Sequence, residues 1–171
     1  MRYRIFNSVL LFLLATSAAI PAEGPRYVTT PYAEPKVVYD FYLDDPQKIN
    51  AAIFWIRSLI NPLSEEPYGY APEFMNIVVV IHGTEIVTVA KKNYSKYKNA
   101  VDRMRYYADL GVSFKVCGLA AQDYDYRVED FQDFIEVVPS AITELVHWQQ
   151  QGYAVIRPTV MSKQFSIEEI R

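Results

Sequence analysis

The sequence predicts an α/β domain: a small doubly wound sheet of five parallel strands with helices on both faces. Three observations carry that reading. Five short runs rich in β-branched and aromatic residues are spread over residues 36–158. Segments with helical apolar spacing lie between them. One run, "MNIVVVIHG" (75–83), is continuously apolar, as a strand buried on both faces of a parallel sheet requires.

The chain opens with "MRYRIFNSVLLFLLATSAAIPAEG". Arg2 and Arg4 precede an apolar stretch from Val9 to Leu14, which continues through small residues to Ile20. This is the pattern of a secretory leader over residues 1–22, with cleavage after Ala19 or Ala22. The run is short of the roughly 20 apolar residues that span a bilayer, so no stable membrane insertion is expected after cleavage. The expected location is the periplasm or another exported compartment. Residues 23–35 carry three prolines and no periodicity and read as a linker or extended arm.

The domain is expected over residues 36–158. "KVVYDFYL" (36–43) is the first strand. In the next segment Ile49, Ile53, Ile56 and Ile60 share one helical face, Pro46 suits the first turn, and Pro62 is expected to end the helix. Residues 63–74 form a loop, and 75–83 the second strand. Tyr97, Val101, Met104 and Ala108 then share a helical face, and Gly111 is a natural stop. "VSFKVCG" (112–118) is the third strand. A short helix is expected around Arg127 to Phe131. "IEVVP" (135–139) is the fourth strand. Ser140 can cap a helix whose Ile142, Leu145 and Val146 are expected to face inward, with Gly152 closing it. "YAVIRP" (153–158) is the fifth strand, and a loosely attached tail runs over 159–171.

This alternation gives a compact flavodoxin-like or doubly wound fold. Sites in such sheets lie beyond the carboxyl ends of the strands. That rule selects Leu43 to Asp45, Ile81 to Glu85 and Val116 to Ala121, and so includes both His82 and Cys117.

Cys117 is the only cysteine. It shares a strand face with Ser113 and Lys115, and that face is expected to keep some exposure. A helix starting near Leu119 would aim its N–H groups at the sulfur. The alternative is a buried structural thiol. His82, at a strand end before glycine, can act as a general base, hydrogen-bond a thiolate, or simply hold the turn. His147, inside a helix beside Trp148, reads as a surface or packing residue.

The whole chain has 17 Lys and Arg against 20 Asp and Glu; removing Arg2 and Arg4 leaves 15 against 20, a formal charge of −5. That balance argues against a nucleic-acid partner. The acids between Asp123 and Glu136 lack the central glycine of a calcium loop. One cysteine and no Cys/His cluster argue against structural zinc. Walker A, G-x-G-x-x-G, G-x-S-x-G and H-E-x-x-H motifs are all absent.

With these residues in hand, the chain resembles the DsrE/DsrF-like family of sulfur-relay proteins. The resemblance rests on "NIVVVIHGTEI", "MRYYADLGVSFKVCGLAA" and "IEVVPSAITELVHWQQQGYAVIRP", together spanning roughly residues 76–158. It implies a small α/β domain that assembles into homo- or hetero-oligomers, often trimers or hexamers. It also implies that Cys117 receives sulfur as a persulfide, with His82 at the family's typical His-Gly. A sulfur donor or acceptor protein is the implied partner, and no cofactor or metal is required. Some members serve only as partners or structural subunits, so a non-catalytic binding or assembly module is the alternative. After "VCGLAA" this chain has "QDYDYRVEDF", where the family commonly has an Arg-Gly turn.

Overall fold

The computed structural model describes residues 24–171. The leader expected over residues 1–22 lies outside them. Among the described residues, no helix is long and apolar enough to cross a membrane. Residues 24–30 form a unit of their own, exposed and without regular structure. Everything below concerns residues 31–171.

Five strands form one parallel sheet: β1 Lys36–Phe41, β2 Asn76–Ile81, β3 Ser113–Cys117, β4 Ile135–Val138 and β5 Ala154–Ile156. Their spatial order is β4-β3-β2-β1-β5. From β1 to β4 the chain steps in one direction across the sheet. Right-handed crossovers therefore put α1 (Ile49–Ser64) and α2 (Tyr94–Asp109) on the same face. The return from β4 to β5 runs the other way, so α4 (Ala141–Gln150) covers the opposite face. Winding thus reverses between β1 and β5.

The two faces are unequal. On the first, Tyr39, Phe41, Val79, Ile81, Phe114 and Val116 meet Ile53, Ile56, Val101 and Met104, all but fully buried. Burying a side chain of this size contributes roughly 1.5–3 kcal/mol, so this layer dominates the stability. On the second, the buried cluster is only Val38, Val78, Val80, Cys117, Ala141 and Leu145.

Several local expectations are met and several are corrected. Asp45 caps the turn that holds Pro46 by accepting from Gln47 N at 2.8 Å, and α1 follows it directly. Pro62 does not end α1, which continues to Ser64. The ring removes only the bond to the Ser58 carbonyl, and Ser58 is exposed to water. Gly111 and Gly152 adopt positive φ after α2 and α4, as helix stops require.

Helix α4 departs from its expected orientation. Ala141 and Leu145 face the sheet and Trp148 packs beside them, whereas Ile142 and Val146 are 62% and 48% exposed. The spacing 141, 145, 148 is as helical as 142, 145, 146. A small residue at 141 lets the helix lie close to the sheet, and that choice turns the larger side chains outward. In the tail, Val160 packs against the main core and the residues from Met161 onward are exposed. The arm docks through residues 31–35. The Tyr70 hydroxyl donates to Tyr32 O at 2.9 Å, and Asn76 N donates to Pro35 O at 2.9 Å.

Candidate functional site

The strand ends on the α4 face bring together one row of side chains. Asp40 stands on β1, two residues beyond Val38, and is 2% exposed. His82 follows β2 directly, and Arg157 follows β5 directly. His82 Nε2 lies 2.6 Å from Asp40 Oδ1. Arg157 Nε donates to Asp40 Oδ2 at 2.7 Å, and its Nη2 donates to the same oxygen. Burial alone would push the Asp40 carboxyl up, but the hydrogen bonds from His82 and Arg157 hold it below the usual value. An ionised carboxylate only accepts, so Nε2 carries the proton in neutral His82. Nδ1 then remains an acceptor. It has no hydrogen-bond partner among the described residues and is not among the sealed, unsatisfied atoms. The Tyr42 ring stacks on the imidazole with centroids 4.8 Å apart.

A buried acid sets the turn that carries His82. Glu85 is fully buried and accepts from Leu43 N at 2.8 Å, Gly83 N at 3.0 Å and His82 N at 3.3 Å. Burial pushes its carboxyl above the ordinary value, and these backbone donors pull against that. Thr84 adds two bonds to Leu43 O, from its N at 2.8 Å and its Oγ1 at 2.9 Å. The fit leaves no room at Gly83, where a Cβ would lie 2.5 Å from Leu43 N. Glu85 thereby ties the end of β1 to the end of β2.

Cys117 ends β3 on the same face, but in different surroundings. It is 6% exposed, packed with Val38, Val78, Val80, Ala141 and Leu145. The expectation that its strand face stays partly open holds for Ser113 and Lys115 only. Lys115 pairs with Glu136 near the Trp148 ring, while α4 closes over the other end. Cys117 precedes α3 (Gly118–Asp123), yet its side chain makes no capping hydrogen bond. Gly118 is needed for close approach, since a Cβ there would lie 2.8 Å from Val138 O.

His82 and Cys117 thus occupy neighbouring strand ends without a hydrogen bond between them. A cavity of about 280 Å³ opens beside His82, lined also by Tyr42, Asp44, Thr84, Ala120, Asp123 and Tyr124. Cys117 does not line it. Ala120 does, and Ala120 also packs against the Cys117 cluster, so it forms the wall between them. His147 is exposed, edge-on to Trp148. Among the described residues, no group of three or more His, Cys, Asp or Glu is arranged to hold a metal ion.

A model of the DsrE/DsrF-like family matches residues 37–158. The chain belongs to that family. Among solved structures, a protein of unknown function from Methanobacterium thermoautotrophicum superposes with a TM-score of 0.59 at 22% identity. The match covers 73% of this chain and 100% of that one, and it shows a shared fold. No curated protein matches the chain.

Within this DsrE/DsrF-like domain, sequence reasoning selected His82 and Cys117 but missed Asp40, Arg157, Tyr42 and Glu85. Asp40 had a signal: a charge at the Val38 parity of a buried strand demands partners. Arg157 also had one, because the strand-end rule applies to β5 as well as to β1, β2 and β3.

Proposed function

We propose that the chain is an exported sulfur carrier in which Cys117 holds sulfane sulfur as a persulfide. The Cys117 thiolate attacks the terminal sulfur of a donor persulfide. The donor's S–S bond breaks, the donor leaves as a thiolate, and Cys117–S–SH forms. Transfer to an acceptor thiol repeats the exchange, with no net change of electrons and no cofactor. The observation that carries this reading is the position of the chain's only cysteine, at the end of β3 on the rim it shares with His82. Assembly into a homo-oligomer belongs to the same proposal, supported by the apolar Ile142 and Val146 on the outer side of α4.

A second reading is a non-catalytic module that binds a small ligand in the rim cavity. It is favoured by one specific fact: the cavity is lined by His82, Tyr42 and Tyr124, while Cys117 lies sealed behind Ala120.

Mass spectrometry after incubation with inorganic polysulfide separates them. The carrier reading expects one or more added sulfur masses on the intact chain and none on Cys117→Ala. No added mass, under conditions that load a control persulfide carrier, overturns it and leaves the binding module.

A further inference from the structure

The rim of this sheet is where α/β proteins commonly hold anions, because backbone N–H groups at the strand ends point outward. Here those donors are already spent. The N–H groups of Leu43, His82 and Gly83 all donate to the buried Glu85 carboxylate, and Thr84 N and Oγ1 both donate to Leu43 O. The protein's own side chain fills the place of an external anion.

What faces the cavity is the opposite chemistry. His82 offers Nδ1 as an acceptor, because Asp40 holds the proton on Nε2. Asp123 offers a carboxylate with no ion-pair or hydrogen-bond partner among the described residues. Asp44 lines the cavity too, with Lys48 engaging it at 2.8 Å. No lysine or arginine is among the lining residues. The Tyr42 and Tyr124 rings supply π faces, and their hydroxyls can accept as well as donate.

We infer that this cavity is a binding site for a small organic cation carrying a primary ammonium group. The ammonium's donors match His82 Nδ1 and Asp123, and the aromatic walls favour positive charge. A cavity of about 280 Å³ suits a ligand of modest size. An oxyanion meets unpaired acceptors and a like charge, and finds no free donor on the His82 turn. The inference does not depend on Cys117, which is outside the cavity.

The test is a titration of the full chain, followed by NMR of the His82 ring and the Tyr42 and Tyr124 side chains. Three probes share a hydroxyethyl-like frame and differ in charge: ethanolamine, ethylene glycol and glycolate. Ethanolamine is expected to bind saturably, at least about tenfold tighter than glycolate. Asp123→Asn, an exposed and structurally mild change, is expected to weaken ethanolamine by about fivefold while leaving ethylene glycol unchanged. The same titration on Cys117→Ala is expected to match the native chain, so failure of the sulfur-carrier reading leaves this result standing. Glycolate binding as tightly as ethanolamine, absence of saturable shifts with ethanolamine, or indifference of ethanolamine to Asp123→Asn overturns the inference.

Discussion

Asp40 and Arg157 are 117 positions apart in the chain and meet in an ion pair, with Nε donating to Oδ2 at 2.7 Å. They sit on β1 and β5, the two strands between which winding reverses. The pair is asymmetric: Asp40 is buried, whereas the Arg157 side chain is 64% exposed. Removing the arginine leaves Asp40 with His82, whereas removing the acid leaves His82 without its anchor.

That asymmetry gives a pH prediction. The Asp40 carboxyl sits below its usual value in the folded chain, because the His82 and Arg157 bonds outweigh burial. A depressed folded pKa contributes stability above the unfolded value of about 3.9, and that stability is lost as pH falls through the folded value. Urea unfolding is therefore expected to show Asp40→Asn less stable near neutral pH by about 1–3 kcal/mol, with a shallower loss below about pH 4. An acid limb as steep in the variant as in the native chain contradicts this.

Glu85→Gln tests the tie between β1 and β2. An amide nitrogen cannot accept from a backbone N–H, so at least one of the Leu43, Gly83 and His82 donors loses its partner. The expected cost is about 1–3 kcal/mol, read by chemical denaturation. Amide exchange at Leu43 and Gly83 is expected to quicken by more than the global change in stability.

Two glycines separate crowding from backbone conformation. At Gly83 an added Cβ would meet Glu85 Oε2 and Leu43 N at 2.5 Å and Leu43 O at 2.6 Å, two of them backbone atoms. At Gly152 nothing lies within 4 Å, but φ is +83°. Gly83→Ala is expected to cost at least about 3 kcal/mol, and Gly152→Ala about 1–2 kcal/mol. Thermal unfolding that ranks Gly152→Ala as the more damaging would be inconsistent with these clearances.

Cys117 gives a prediction on both stability and access. Cys117→Ala leaves a small void and is expected to cost about 1 kcal/mol. Cys117→Ser puts a hydroxyl among Val38, Val80 and Leu145 and is expected to cost more. Iodoacetamide is expected to label the native chain at least about tenfold more slowly than the same chain in urea. Equal rates would mean that the sulfur is not covered.

Much of this was legible in the sequence. The continuous apolar run of β2 announced a parallel sheet, because only burial on both faces tolerates it. The isoleucines at 49, 53, 56 and 60 fixed the inner face of α1, and all four are buried. Helix α4 was misread by about one position. Two rotations of a short amphipathic helix differ little in apolar content, and only the closeness allowed by Ala141 decides between them. The strand-end rule found His82 and Cys117 but could not show which way their side chains turn. His82 turns to Asp40, two residues behind the neighbouring strand's exposed end, and no spacing in the sequence joins position 40 to position 157.

Helix α4 holds the thin side of the sheet with two buried side chains, Ala141 and Leu145, while the other side is closed by two long helices. Its release exposes Cys117 and leaves the main core intact, so it costs a fraction of the free energy of full unfolding. The chemistry of this thiol is therefore metered by how often one ten-residue helix lifts. Any partner that grips Ile142 and Val146 acts directly on that frequency.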